Sequence, residues 1–246
     1  MTFDLEGTFS DDYLYFYDES IDDEHSDADT AEILALLDLP KGARILDAPC
    51  GHGRIARRLA AAGMEVTGVD ITPAYLEQAR TDPQLPAGAV TYVEGDLRRL
   101  PLDGPFDAVV CWLNSFGYYD DADCHRVLAE FHRVLRPGGT VAIDTMHHDG
   151  GVRHFVPAPD AVVVQLGDDT MVERSTFEPV TGRMRVERTV HRDGAVRHAS
   201  YFIRLPTPPE WVVWLEDAGF RDVRFQGGGG GALELDSWEM VVAATA

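Results

Sequence analysis

The chain has 246 residues, with 21 Lys and Arg against 42 Asp and Glu and a formal net charge of −21. A surface so acidic repels DNA, RNA and anionic membranes, whose phosphates demand Lys and Arg, and it suits a small-molecule or cationic partner. No apolar run approaches the ~20 residues that span a bilayer, the acidic start from Met1 to Asp12 lacks the basic region of a signal peptide, and three cysteines (Cys50, Cys111, Cys124) make no disulfide framework. The expectation is a cytoplasmic protein with reduced thiols, no nucleic-acid partner and no membrane.

The first 40 residues hold no Lys or Arg but carry an aromatic cluster, Tyr13, Tyr15, Phe16 and Tyr17. A helix is expected from Ser26 or Asp27, with Ile33, Leu34 and Leu37 on one face and Pro40 and Gly42 as its stop. Strands and helices then alternate: strand 44–48, helix 55–62, strand 65–69 ending at Asp70, helix 73–80, strand 90–93, strand 106–112, helix 121–135 and strand 140–144. That alternation predicts right-handed βαβ units around a mostly parallel sheet with helices on both faces. After residue 150 the pattern changes to apparent strands at 161–166, 171–177, 183–191 and 196–205, with the hairpin signal Asp193-Gly194 between the last two. A helix at 208–218 stopped by Gly219, and strands at 222–225 and 237–243, close the chain. The run Gly227 to Gly231 reads as a flexible loop, too unconstrained to cradle a phosphate.

The expected organisation is an N-terminal lid segment with the first helix (1–40), a ligand-binding core (41–149), an antiparallel β insertion capping the substrate (150–205) and the C-terminal part of the core (206–246). The fold class is α/β, Rossmann-like, with an antiparallel β insertion.

Chemistry concentrates at Ile45-Leu46-Asp47-Ala48-Pro49-Cys50-Gly51-His52-Gly53. A strand running into small residues and then a helix lets a ligand approach the backbone, because glycines lack the Cβ that would block it. Asp70 ends the next strand, where a carboxylate can accept from both ribose hydroxyls of an adenosine. A dinucleotide is the rival ligand, since Ala56 is allowed where that fingerprint wants its third glycine. Asp47 argues against it: a carboxylate before the turn suits an ammonium better than a pyrophosphate.

With Gly95-Asp96, Phe106 to Val110 and Leu135-Arg136-Pro137-Gly138-Gly139-Thr140, the ordered set resembles a class I S-adenosylmethionine-dependent methyltransferase over about residues 30–146 and 208–245. Pro49 departs from the family's usual glycine. The resemblance implies S-adenosylmethionine as cofactor. Asp47, Ala48, Cys50, Gly51 and Gly53 would lie at the methionine moiety, Asp70 with Ile71 at the ribose, and Asp96 with Leu97 at the adenine. Trp112 and Leu113 complete the candidate cofactor residues. The aromatic N-terminus and the insertion resemble, more narrowly, small-molecule N-methyltransferases of natural-product pathways, of the amino-sugar and lincosamide types. In that group an N-terminal segment closes over the cofactor and a β insertion shapes the substrate site.

Methyl transfer is an in-line displacement, so positioning supplies much of the rate. Tyr17, Tyr13 and His147 are the candidate catalytic residues; Tyr15, Asn114, Phe116, Tyr118 and His148 are the candidate substrate contacts. Aromatic faces favour a sulfonium or an ammonium, and histidine titrates near neutral pH, although both residue types also serve as core or loop residues. His125 and His132 belong to a helix, His52 to the first motif, and no metal set is expected. A small-molecule amine is the expected acceptor. O- or C-methylation on the same scaffold, a non-catalytic S-adenosylmethionine-binding regulator and, least suited, a nicotinamide oxidoreductase are the alternatives. The insertion's edges suit pairing with a second copy.

Overall fold

The computed structural model describes residues 8–17, 22–81, 88–155, 157 and 159–246; parts of the expected lid segment, 1–7 and 18–21, lie outside them. The elements are α1 (Asp11–Tyr17), α2 (Asp23–Leu37), β1 (Arg44–Asp47), α3 (Arg54–Ala61), β2 (Glu65–Asp70), α4 (Pro73–Thr81), β3 (Val90–Glu94) and β4 (Phe106–Cys111). Then follow α5 (Asp121–Val134), β5 (Leu135–Met146), α6 (His148–Arg153), β6 (Val162–Leu166), β7 (Asp169–Glu178), β8 (Arg183–Arg192), β9 (Ala195–Arg204), α7 (Pro208–Asp217), β10 (Arg221–Gly227) and β11 (Glu239–Thr245).

A seven-stranded sheet has the order β10-β11-β5-β4-β1-β2-β3. Pairs within β3-β2-β1-β4-β5 are parallel, and β11 runs antiparallel between β5 and β10. The strand order reverses beside β1, so the carboxyl ends of β1 and β4 flank a crevice of the kind that binds ligands in open α/β sheets. Central strands buried on both faces need continuous apolar runs: Ile45, Leu46, Ala108, Val109, Val110 and Ile143 are fully buried. One apolar cluster lies on the α5 and α7 side, around Phe131 and Trp211, and another on the α2 and α3 side, around Ile33 and Leu59. This is the expected Rossmann-like sheet. The insertion is a separate antiparallel sheet, β6-β7-β8-β9, whose β8–β9 turn has both Asp193 and Gly194 at positive φ, as a two-residue hairpin requires.

Four local differences from the sequence reading have physical causes. Helix α2 starts three or four residues early, because Asp22 caps it by accepting from the His25 amide at 2.9 Å, and it stops at a left-handed Asp38 before Pro40 is reached. Residues 11–17 form a helix, although aromatic residues have only middling helix propensity; its Asp12 and Phe16 are buried. Helix α6 contains Gly150 and Gly151, poor helix formers, but a Cβ on Gly150 would lie 1.9 Å from the Ser237 carbonyl. The pentaglycine run is ordered around a carboxylate: the Gly229 and Gly230 amides donate to Glu32 at 2.9 and 3.0 Å, and both residues sit at positive φ, which glycine adopts without strain.

Candidate active site

The β1–α3 turn forms the floor of a pocket. The Cys50 amide donates to the Val69 carbonyl at 2.9 Å, tying the turn to β2. Gly51 and Gly53 both have positive φ, and a Cβ on Gly53 would lie 2.3 Å from the Tyr92 hydroxyl oxygen, so only glycine fits there. Asp70, 5% exposed, accepts from the Gly51 amide through Oδ2 and from the Thr72 amide through Oδ1, each at 2.8 Å. It thereby fastens two turns together. Burial raises its pKa, while the backbone donors of Thr72 and Gly51 oppose that shift.

The pocket encloses about 930 Å³ of empty space, part of it open to solvent. Its floor is lined by Asp47, Pro49, Cys50, Gly51, His52 and Arg54; Asp70, Ile71, Thr72, Tyr75, Gly95 and Leu97 form one side, and Trp112, Leu113 and Ser115 another. Phe9, Tyr13 and Leu14 from the N-terminal segment, with Tyr118 and Tyr119, complete the lining. Among the expected cofactor residues, Asp47, Cys50, Gly51, Asp70, Ile71, Leu97, Trp112 and Leu113 are thus brought together. Ala48 is fully buried just behind them, and Gly53 caps α3. Asp96 stands apart from the lining. Its carboxylate is held by the Arg98 guanidinium at 2.6–3.0 Å, which lowers its pKa.

Two charged groups at the floor are incompletely satisfied. Asp47 is 2% exposed, and its Oδ2 has no hydrogen-bond partner. Burial, with Asp70 nearby, pushes its pKa up to about 7 despite the proximity of Arg54. Arg54, 5% exposed, donates from Nη1 to Asp29 at 2.7 Å and to Ser26 at 3.3 Å, while Nη2 has no partner. Leaving such groups unpaired is costly. One ligand bearing both an ammonium and a carboxylate would satisfy both. Arg54 was not among the expected site residues. Its signal was a cation at the first position of α3, against the helix dipole.

The opposite wall is aromatic. Tyr13 stacks on Tyr17 with centroids 4.8 Å apart, and Phe9 meets both Tyr13 and Tyr118 edge-on. Burial raises the Tyr13 and Tyr118 phenols above their ordinary range, so both stay neutral at neutral pH. The other expected acceptor-side residues lie behind or beside this wall. Tyr17 donates to Glu173 at 3.1 Å and Tyr15 to Asp169 at 3.0 Å. Phe116 is buried against Trp211. Asn114 sits in a left-handed loop with Leu113, whose two amides donate to Asp144 at 3.3 and 2.8 Å. His147 is buried with Nδ1 3.1 Å from the Ser237 carbonyl; His148 pairs with Asp149 at 2.7 Å. Asp144, also pushed up to about 7 by burial, holds the loop between pocket and sheet and was not anticipated.

Among the described residues, no group of His, Cys, Asp and Glu could hold a metal ion, and no helix is long and apolar enough to cross a membrane.

Residues 45–139 match the model of a methyltransferase domain family. Over 121 residues the chain is 40% identical to an S-adenosyl-L-methionine-dependent Diels-Alderase from Talaromyces variabilis, covering 46% of this chain and 39% of that protein. Over 115 residues it is 36% identical to a malonyl-[acyl-carrier protein] O-methyltransferase from Pectobacterium atrosepticum, covering 46% and 43%. The chain therefore spans less than half the length of these curated relatives. Among solved structures, the CcbJ methyltransferase from Streptomyces caelestis superposes with a TM-score of 0.81 at 22% identity, over 97% of this chain and 98% of that one. DesVI from Streptomyces venezuelae gives 0.67 at 26% identity, over 96% and 100%. Residues 45–139 are thus similar to a methyltransferase domain, and the superposition at 22% identity shows a shared fold over nearly the whole of both chains.

Proposed function

We propose that this chain, built around a class I S-adenosylmethionine-dependent methyltransferase domain, methylates a small-molecule amine in a natural-product pathway. The observation that carries the cofactor half of this reading is the pair of buried, opposite charges with unpartnered atoms, Asp47 Oδ2 and Arg54 Nη2, in one pocket. An amino-acid zwitterion satisfies both at once. Asp70 has lone pairs left on both oxygens after accepting from Gly51 and Thr72, which suits a ribose diol. Leu97 and Ile71 offer apolar contact to a purine. When bound, S-adenosylmethionine supplies a sulfonium methyl group to a nucleophile's lone pair.

The acceptor half rests on the character of the opposite wall. Phe9, Tyr13, Leu14, Ser115 and Tyr118 bring no carboxylate or imidazole to it. The two phenols are held neutral by burial. A hydroxyl acceptor needs a base or a metal, whereas a neutral amine attacks unaided and only has to lose a proton afterwards. The π faces favour the cationic product and the cationic methyl donor. The expected bases, His147 and His148, are engaged with Ser237 and Asp149 away from this wall. One structural neighbour, CalS10 from Micromonospora echinaspora, is an amino pentose methyltransferase, which agrees with an amine; a malonyl-[acyl-carrier protein] O-methyltransferase among the relatives supports the second reading.

The test is S-adenosylhomocysteine release with paired amine and hydroxyl acceptors of the same skeleton, amino sugars first. Turnover confined to the amines supports the proposal. Turnover of the hydroxyl partner alone overturns the choice of nitrogen, and uncoupled binding without any turnover favours a regulatory protein.

A further inference from the structure

We propose that Arg188, in the insertion, is a positioning residue that fastens helix α1 over the pocket and thereby sets how fast the cofactor leaves. The inference rests on the methyltransferase reading above. Arg188 is 4% exposed and lies on the inner face of β8. Its guanidinium is used in three directions: Nε donates to Glu173 at 2.8 Å, Nη1 to the Thr8 carbonyl at 2.9 Å, and Nη2 to the Tyr201 hydroxyl at 3.1 Å. The same group lies 5.9, 5.6 and 5.1 Å from the ring centroids of Tyr13, Tyr17 and Tyr201. Glu173 completes the assembly by accepting from Tyr17 at 3.1 Å and Tyr201 at 3.0 Å.

This is an odd use of a buried ion pair if its purpose is only to hold the insertion sheet together. Well-packed apolar residues would hold a static sheet as well or better. What the guanidinium does that an apolar side chain cannot is reach a backbone carbonyl on another segment, 180 residues away. That carbonyl, on Thr8, lies just ahead of α1. From the opposite side Tyr75, on α4, donates to the Ser10 carbonyl at 3.1 Å. The segment leading into the helix is therefore held by Tyr75 of the core and Arg188 of the insertion, and its first turn is held as well by Arg192 and Arg197, which both donate to Asp12. Phe9, Tyr13 and Leu14 on this suspended segment line the same pocket as Asp47 and Asp70. A ligand seated on the floor leaves past them, so loosening the helix speeds release.

The test chases bound, labelled S-adenosylhomocysteine with excess unlabelled compound, using the full-length chain. Arg188→Met should raise the release rate about tenfold, and Arg188→Lys, which keeps the charge but loses the planar fork, about threefold. Both variants are first checked for native circular dichroism. Should Arg188→Met fail to fold, Arg188→Lys and Glu173→Gln carry the test. Tyr17→Leu alone should also speed release, and in combination with the Arg188 variant should add less than its separate effect. A merely structural weakening of the sheet would add in full and overturn the proposal. Unchanged release in every folded variant overturns it as well. A wild-type chain that binds no S-adenosylhomocysteine overturns the cofactor reading and the latch with it.

Discussion

The floor of the pocket and its roof are held by contacts of opposite kinds. On the floor, Asp70 bonds to amides 2 and 19 positions away. On the roof, Tyr15, Tyr17 and Thr8 bond to Asp169, Glu173 and Arg188, across 154, 156 and 180 positions, and Asp12 reaches Arg197 across 185. The floor is preorganised by backbone turns within βαβ units. The roof exists only once a distant sheet has folded beneath it. A ligand contact on the floor should therefore be worth much affinity, while a contact on the roof should act on rates.

The largest effect that would sharpen this contrast is on Asp70. Asp70→Ala should weaken S-adenosylhomocysteine binding by about 100-fold, because the ribose hydroxyls and two backbone amides all lose their acceptor; calorimetry with the purified variant checks it. Arg54→Met should come next, with a loss of about 30-fold for a ligand carrying a free carboxylate. 5′-Methylthioadenosine, which lacks the amino-acid group, should bind the variant and the wild type alike. Equal losses for both ligands would separate Arg54 from any carboxylate.

Asp47→Asn should cost about tenfold in affinity while stabilising the unliganded chain. The sign follows from burial. The folded-state pKa, up to about 7, lies above the ordinary 3.8, so the folded chain keeps a proton the unfolded chain has released. Stability from this group is complete below about pH 4 and is lost as pH rises through 7. The variant should thus match the wild type at pH 4 and exceed it in melting temperature by about 10 °C at pH 8. A gap that instead widened toward acid would place an ionised, well-paired Asp47 in the folded state. The smallest effect is expected on the roof. Tyr17→Phe keeps the ring and its stacking on Tyr13 but removes one bond to Glu173, so binding affinity should change less than about threefold. A loss comparable to that of Asp70→Ala would erase the distinction between floor and roof.

The same contrast explains what was legible in the sequence. The five parallel strands follow apolar runs ended by small or acidic residues, and Asp47, Gly51 and Asp70 are placed by motifs a few residues long. The aromatic cluster at 13–17 was visible, but its partners were not. Nothing in the spacing of Glu173 and Arg188 announces that they meet Tyr17 and Thr8, because sheet register and helix docking fix those meetings. Arg54 was visible in position yet not in purpose: its use depends on Ser26 and Asp29 of α2 holding one nitrogen and leaving the other without a partner. The pentaglycine run misled for a related reason, since the glycines answer to Glu32 nearly 200 residues away.

The central claim is that the β1–α3 pocket takes S-adenosylmethionine through Asp47, Arg54 and Asp70. The most direct measurement is calorimetric titration of the wild-type chain and Asp70→Ala with S-adenosylhomocysteine, with NAD as the control. One-to-one binding by the wild type, about 100-fold weaker in the variant and absent with NAD, is the predicted result. Binding of NAD, or S-adenosylhomocysteine binding that is indifferent to Asp70, would contradict it.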